Sequence, residues 1–152
     1  MQPEIIVTER PDAALRDAIL RPLLNYNVSK VGPTVSDSFA IALRDQEGGA
    51  IIGGLWATSA YNWLFIELLF VPVEYSGRGI GSSLMRKAEE IAMRRGYLGI
   101  RLDTMSFQAP GFYEKLGYRK FGELENYPEG HELFYYYKML TPKPPSSETG
   151  DA

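Results

Sequence analysis

Apolar residues follow two different spacings along this chain, and together they predict a mixed α/β fold. Short alternating or continuous apolar runs are typical of strands, whereas apolar positions three and four residues apart are typical of helices. The strand-like runs are residues 4–7, 38–44, 50–59, 63–71, 97–104, 118–124 and 131–140, and the helix-like runs are 11–20, 22–30, 82–95 and 109–116. The predicted order is β-α-α-β-β-β-α-β-α-β-β, which favours an α/β (α+β mixed) sheet with helices on both faces.

Proline and glycine mark several of the predicted boundaries. Pro22 interrupts the first helical pattern because proline lacks an N–H, so we predict a second, short helix or a turn after it. Pro110 suits the first turn of the helix 109–116, and Gly117 suits its end. Gly96 can end the longer helix before it in the same way.

Composition and charge narrow the class of protein. The 152 residues fit one domain, which we place at 1–140, followed by a Pro- and Ser-rich tail at 141–152 that we predict to be disordered. A net charge of −3 does not indicate a surface that binds nucleic acid. No apolar run approaches the ~20 residues of a membrane span. The chain has no cysteine and one histidine, His131, so we expect neither a disulfide nor a metal site. The N-terminus has no signal-peptide pattern, and we expect a cytoplasmic location.

The segment "EYSGRGIGSSL", residues 74–84, places three glycines between an apolar strand and a helix. A helix N-terminus offers unpaired N–H groups, and glycines let the backbone approach a phosphate closely. The segment lacks the Gly-Lys-Ser/Thr ending of a Walker loop, and Ser82 stands where the dinucleotide fingerprint has its third glycine. We therefore predict a phosphate-binding turn of another kind; the alternative is a crowded corner between strand and helix.

Two longer segments carry a family resemblance. "LLFVPVEYSGRGIGSSLMRKAEEIAMRRGY" and "FQAPGFYEKLGYRKFG" resemble the GNAT superfamily of N-acetyltransferases. "SFQAPGFYEKLGY" with the later "YPEGH" also resembles one subgroup of small bacterial acetyltransferases. Gly79 and Gly81 match the family pattern Gln/Arg-x-x-Gly-x-Gly/Ala, with Ser76 at the position where Gln or Arg is usual. Residues 113–118 match the family segment Tyr-Glu-Lys-Leu-Gly-Tyr/Phe, and Ser106 stands where the family often has Asn.

The resemblance implies acetyl-CoA as a cosubstrate, without a metal. It places the pyrophosphate on the amides of six residues: Gly77, Arg78, Gly79, Ile80, Gly81 and Ser82. It also implies a central sheet that splays after the strand 63–71, with the pantetheine arm pairing along Leu69, Phe70 and Val71. Ser106 completes the expected cofactor-binding set.

The implied reaction is direct transfer of an acetyl group from the thioester to an amine. The resemblance makes Tyr113 the acid that protonates the leaving thiolate; the alternative is a tyrosine that serves only the core. Glu67 is the candidate base, because it is the single charged residue in the apolar run 63–71. It could instead pair with Arg101, and Asp103, His131 and water remain alternative bases.

The predicted function is an acetyl-CoA-dependent N-acetyltransferase acting on a primary amine of a small molecule or peptide. The alternative is a non-catalytic acyl-CoA-binding or regulatory protein that keeps the cofactor site. The residues do not identify the acceptor amine, although the acidic balance favours a cationic small molecule over a nucleic acid. We expect neither a nucleic-acid nor a membrane partner, and the resemblance adds a homodimer as an expectation.

Overall fold

The computed structural model describes residues 1–140, and the disorder predicted for 141–152 lies outside the described residues. The chain divides into two compact units, residues 1–34 and Val35 onward. The expectation of a single domain over 1–140 stays a prediction.

The first unit contains one long helix, α1 (Ala13–Val31). Asp12 caps its start, because the Leu15 N–H donates a hydrogen bond of 2.9 Å to Asp12 Oδ1. Gly32 ends it with a φ of 80°, and the Gly32 N–H donates to the Val28 carbonyl. Backbone groups at both ends of α1 therefore find hydrogen-bond partners in neighbouring residues.

Two sequence predictions in this unit are wrong. Residues 4–7 form no strand: an apolar run becomes a strand only beside a hydrogen-bonding neighbour, and all six sheet strands within residues 1–140 begin after residue 37. Pro22 lies inside α1 instead of separating two helices. A proline removes only one N–H from the hydrogen bonds of a helix. The other residues between the caps at Asp12 and Gly32 continue the helix past Pro22.

The second unit is built on a six-stranded mixed sheet. Its strands are β1 (Ser38–Arg44), β2 (Ile51–Ala60), β3 (Trp63–Phe70), β4 (Gly99–Met105), β5 (Arg119–Glu125) and β6 (Glu132–Met139). They are ordered β1-β2-β3-β4-β6-β5, and the β3–β4 pair is parallel while the others are antiparallel. Each strand lies within a few residues of its predicted range, which confirms the mixed α/β class.

Two helices, α2 (Ile80–Arg94) and α3 (Pro110–Lys115), share one core with this sheet. The buried stripe of α2 contains Leu84, Met85, Ala88 and Ala92, spaced as one helix face requires. Tyr113, on α3, belongs to the same cluster of buried residues. Both helices therefore contribute side chains to the core that the sheet supports.

The sheet opens between its two central strands. β3 and β4 are paired from Trp63 with Gly99 to Ile66 with Leu102, and there the pairing stops. Beyond that point, β3 stays paired with β2 and β4 stays paired with β6 to their ends. The two strands therefore separate as a fork, which confirms the splayed sheet that the family resemblance implied.

A bulge in β3 lies at the base of the fork. Trp56 of β2 pairs with Leu68, while the next residue of β2, Ala57, pairs with Ile66, so Glu67 is the extra residue. A bulge bends its strand and redirects side chains. In this way β3 keeps Ile66 in the core and brings Leu69 back against the core beyond the bulge.

Candidate active site

A cavity of about 970 Å³ lies where β3 and β4 separate. Its walls come from the open ends of the two strands, the glycine-rich segment before α2, and the turn that leads into α3. The lining residues are 66–71, 75–77, 79–82, 102, 103, 105, 108, 109, 112, 113 and 133. The two candidate catalytic residues, Tyr113 and Glu67, therefore meet most of the predicted cofactor segment at one cavity.

Backbone amides at the start of α2 form a wall that suits an anion. Gly77 and Gly79 have φ angles of 79° and 76°, a conformation that L side chains rarely adopt. Gly79 is the N-cap of α2 and supplies no side chain to cap the first turn. The first N–H groups of a helix lack partners within it, and the helix dipole makes this end positive. This wall can therefore hold a phosphate group.

The glycines of this segment are needed for different reasons. A Cβ on Gly79 would meet none of the described atoms within 4 Å, so the backbone conformation is its constraint. A Cβ on Gly81 would lie 3.2 Å from Phe112 Cζ, so Gly81 allows α2 to approach α3 closely. The two interpretations of this segment, a phosphate wall and a crowded corner, therefore apply to different glycines.

Ser76 and Arg78 hold the turn before α2. The Ser76 hydroxyl donates a hydrogen bond of 2.7 Å to the Val73 carbonyl and so closes a 3-10 turn over Val73–Tyr75. The Arg78 guanidinium lies over the Tyr75 ring, 5.3 Å from its centroid. Arg78 is outside the cavity lining, unlike its five predicted partners at 77 and 79–82.

The open edge of β3 forms the second wall. Leu69, Phe70 and Val71 all line the cavity, in the part of the chain where β3 has lost β4 as a neighbour. On its other side β3 is still paired with β2, since Leu55 pairs with Leu69 and Gly54 with Phe70. An extended ligand with amide groups could therefore pair with this edge as an added strand.

Glu67 and Asp103 lie at the base of the fork, each one residue beyond the last β3–β4 pair. Both line the cavity, and both are exposed. The Arg101 guanidinium lies over the Phe65 ring at 4.4 Å. Within residues 1–140 no ion pair joins Arg101 to Glu67, which leaves Glu67 available at the cavity wall.

Tyr113 combines a buried ring with a place at the cavity. Its side chain is 9% exposed, and its ring contacts the rings of Phe112, Tyr118 and Tyr136. Burial, and then the negative charge of Asp103, raises the pKa of Tyr113 to about 12. Tyr113 is therefore protonated at neutral pH and can donate a proton or a hydrogen bond into the cavity.

Asp103 interacts electrostatically with two nearby side chains, Arg101 and Tyr113. Partial burial raises the pKa of its carboxyl, and the nearby Arg101 charge opposes that rise. Because Asp103 also acts on Tyr113, a carboxylate and a protonated phenol lie close together at this wall. Such a pair is one that acid–base chemistry can use.

Two further candidate residues, Ser106 and His131, also lie outside the cavity lining. The Ser106 N–H donates to the Glu132 carbonyl at 2.7 Å, and the Ser106 hydroxyl accepts from the Glu132 N–H at 3.0 Å. Ser106 thus extends the pairing of β4 with β6. His131 is exposed, and its ring packs edge-on against Phe107, with 5.0 Å between the centroids.

Sequence reasoning missed one lining residue with several specific contacts. Gln108 Oε1 accepts hydrogen bonds from the Met105 N–H at 2.7 Å and from the Thr104 hydroxyl at 3.0 Å. The available signal was its place in the short link between the strand 97–104 and Pro110, where each residue must help to connect β4 to α3.

In the described part of the chain, no three His, Asp or Glu side chains group as metal ligands would. Among residues 1–140, no helix has both the length and the apolar content that crossing a membrane requires.

Comparison with known proteins identifies the class that this fold and cavity define. Residues 13–118 match the model of the acetyltransferase (GNAT) family. The chain belongs to this family and is an acetyltransferase.

Its relatives are acetyltransferases as well. An acetyltransferase of Agrobacterium fabrum is 34% identical over 135 residues, which cover 89% of this chain and 98% of the relative. A blasticidin-S acetyltransferase of Streptomyces morookaense is 40% identical over 85 residues, covering 55% of this chain and 62% of the relative. A crystal structure of an acetyltransferase from Agrobacterium tumefaciens superimposes with a TM-score of 0.81 at 33% identity, covering 90% of this chain and 98% of that one.

Proposed function

We propose that this protein transfers the acetyl group of acetyl-CoA directly to a primary amine of a small molecule or peptide. The observation that carries the proposal is the meeting of three features at one cavity: a helix N-terminus suited to phosphate, a strand edge open for pairing, and a protonated tyrosine. Each corresponds to one part of the cosubstrate, namely the pyrophosphate, the pantetheine arm and the thioester sulfur.

The cofactor would lie along the fork. The amides at Gly77 and Gly79–Ser82 would hold the pyrophosphate, and the edge of β3 at 69–71 would pair with the amides of the pantetheine arm. The thioester would then reach the base of the fork, where Tyr113, Glu67 and Asp103 line the wall. Arg78 and Ser106 would support this site through the neighbouring backbone, because both lie outside the lining.

The chemistry moves three protons: two leave the amine nitrogen and one reaches the thiolate. A base removes a proton from the ammonium form of the acceptor, and the free amine nitrogen attacks the thioester carbonyl carbon. As the C–N bond forms, the C–S bond breaks, and the leaving thiolate takes the proton of the Tyr113 hydroxyl. The amide nitrogen gives its second proton to solvent, and the proton taken by the base returns to Tyr113 through solvent. We assign the base to Glu67, directly or through a water molecule; Asp103 is the competing carboxylate across the fork.

The acceptor would be cationic before it reacts. Two carboxylates at the base of the fork attract a positive charge, as an amine carries at neutral pH. The name of the blasticidin-S acetyltransferase gives a small molecule as that relative's substrate, which supports a small-molecule amine here. The non-catalytic alternative is contradicted, because the family match and the named relatives show an acetyltransferase.

The test is an acceptor screen. The purified protein is incubated with acetyl-CoA and a panel of primary amines, including polyamines, lysine analogues, amine antibiotics and peptide N-termini, and thiol release is recorded together with the mass of the product. We expect at least one amine to give amine-dependent thiol release and a product heavier by one acetyl group. Acetyl-CoA binding without such a product across the panel would contradict transfer to a primary amine.

Two further expectations remain predictions. A cytoplasmic location is tested by fractionation of the source cells. A homodimer is tested by light scattering of the eluted protein, where a monomer mass contradicts it.

A further inference from the structure

Gln108 forms two hydrogen bonds with the backbone of Met105, and the proposed reaction does not use either of them. Its side-chain oxygen accepts from the Met105 N–H, and its backbone N–H donates to the Met105 carbonyl at 2.8 Å. One residue therefore binds both backbone groups of Met105, much as a neighbouring strand would.

These bonds lie on the fork side of β4. The Ser106 N–H points towards β6, because it donates to the Glu132 carbonyl. In a strand, the N–H and C=O groups of successive residues point to opposite sides. The N–H and C=O of Met105 therefore point away from β6, towards the side on which β3 is no longer paired with β4. Gln108 therefore closes this edge of β4 at Met105.

The same bonds join β4 to α3. Thr104 is 4% exposed, and its hydroxyl donates the second hydrogen bond to Gln108 Oε1. Ala109, the next residue, is the N-cap of α3, and no side-chain hydrogen bond caps that helix at Ala109. α3 has six residues, too few to be held by its own hydrogen bonds, and Tyr113 is its buried member. The position of Tyr113 thus depends on how the link 106–109 is fixed.

We propose that Gln108 is a positioning residue for Tyr113: it binds both backbone groups of Met105 and so sets where α3 presents the Tyr113 hydroxyl at the cavity. The inference rests on the proposed function, in which Tyr113 is the acid. Gln108 and Tyr113 line the same cavity, so a small displacement of the link moves the hydroxyl relative to the thioester. Displacements of about 1 Å at a reacting centre can reduce a rate by about 100-fold.

The main experiment is a double-mutant cycle. Gln108→Met keeps the length of the side chain but replaces its oxygen acceptor with a weak one. We expect kcat to fall by about 10- to 100-fold, with little change in the KM for acetyl-CoA. In a Tyr113→Phe background, the same substitution should reduce kcat less than about twofold, because the group it positions is already gone. Equal reductions in both backgrounds would overturn the proposal, as would full activity of Gln108→Met.

Three controls separate the possible outcomes. Gln108→Glu keeps an oxygen acceptor for the Met105 N–H and should recover most of the lost kcat; failure to recover it contradicts the positioning role. Thr104→Val removes the second donor and keeps the shape, so a smaller fall in the same parameter is expected even if Gln108→Met folds poorly. A wild-type protein that acetylates no amine rejects the proposed function instead.

A spectroscopic measurement tests the inference without turnover. With tyrosine labelled at the ring carbon that bears the hydroxyl, the Tyr113 signal is the one that disappears in Tyr113→Phe. Gln108→Met should move this signal, while the signal of Tyr26 in the first unit should stay unchanged. An unmoved Tyr113 signal in the folded variant would show that Gln108 does not position it.

Discussion

Glu67 and Asp103 are the first residues of β3 and β4 beyond their last pair, Ile66 with Leu102. The opening of the fork therefore begins with one carboxylate on each strand. Glu67 stands there because the bulge adds it to β3 opposite β2, whereas Asp103 follows the regular alternation of β4. These two residues are both candidate bases, and both line the cavity.

The first prediction separates these two carboxylates. Glu67→Gln should lower kcat by about 10²- to 10⁴-fold if Glu67 removes the amine proton, since general base catalysis contributes that much. Asp103→Asn should lower kcat by less than about tenfold, and it should also lower the pKa of Tyr113 by removing a neighbouring charge. Both variants are compared in single-turnover rates with the same amine. The reverse order of effects assigns the base to Asp103, and two small effects leave water as the proton acceptor.

The second prediction concerns the phosphate wall. Acetyl-CoA should raise the melting temperature of the wild-type protein, because a ligand bound to the folded state stabilises it. Gly79→Ala should reduce this rise, since a side chain at a φ of 76° distorts the turn that presents the amides.

Gly96→Ala is the matched control for that experiment. Gly96 lies just after the other end of α2 and has a φ of 77°, and a Cβ added there would also meet no described atom within 4 Å. This variant should lose a similar amount of stability but keep the full rise with acetyl-CoA. Equal rises in both variants would place the pyrophosphate elsewhere.

Much of the second unit could be predicted from local sequence patterns. Period-two alternation in 38–44 and the apolar stripe of α2 are local signals, and Gly96 and Gly117 follow the helices they end. Tyr113 came from the family resemblance, and Glu67 from being one charge in an apolar strand. These residues carry their signal in their immediate neighbours.

The rest depends on contacts between distant segments. The bulge that adds Glu67 to β3 is defined by its register with β2, and register does not appear in the sequence of β3 itself. Gln108 looked like an ordinary loop residue because its partners, Met105 and Thr104, are set by where β4 leaves β3. Pro22 is the opposite case. Its strong local signal predicted a break between two helices, but the residues around it form one continuous helix.

The third prediction tests a polar cluster that ties α2 to β6 and α3. Lys138 Nζ contacts Glu89 Oε1 at 3.1 Å and donates to the Leu116 carbonyl at 2.8 Å, while the Tyr118 hydroxyl donates to Glu89 Oε2 at 2.8 Å. Lys138→Met should lower the free energy of unfolding by about 1–3 kcal/mol, because it leaves the half-buried Glu89 carboxylate without its cation. Urea unfolding measures the change.

Lys120→Met provides the control for Lys138→Met. Lys120 forms an ion pair with Glu123 at 3.1 Å, but both side chains are more than 40% exposed. Exposed pairs contribute about 0–1 kcal/mol, so this variant should be nearly neutral. Similar losses in the two variants would show that the cluster around Glu89 contributes no more to the free energy of unfolding than an exposed ion pair does.

The fourth prediction concerns stability at alkaline pH. Burial raises the pKa of Tyr113 to about 12, and burial with a hydrogen bond to Glu114 raises the pKa of Tyr136 to about 12. In the unfolded chain a tyrosine ionises near pH 10. The unfolded state therefore loses these protons first, and stability should fall as the pH rises from about 10 to 12. Melting curves across this window should fall less steeply for Tyr136→Phe than for the wild type, and an equal slope would contradict the assignment.

The fifth prediction concerns the Tyr113 hydroxyl. Tyr113→Phe removes one oxygen and keeps the ring among its aromatic neighbours, so the fold should hold. If the hydroxyl protonates the leaving thiolate, kcat should fall by about 10²- to 10⁴-fold. The Kd for acetyl-CoA should change little, because the hydroxyl matters most as charge develops on sulfur.

Tyr136→Phe separates this catalytic role from a structural one. Tyr136 packs against Tyr113, with 6.2 Å between the ring centroids, but its hydroxyl donates to Glu114 Oε1 at 2.9 Å and it lies outside the cavity lining. Its loss should cost about 1 kcal/mol of stability and leave kcat nearly unchanged. Single-turnover rates and melting curves are recorded for both variants with the amine found in the acceptor screen. Undiminished chemistry in folded Tyr113→Phe would remove Tyr113 as the acid and leave solvent to protonate the thiolate.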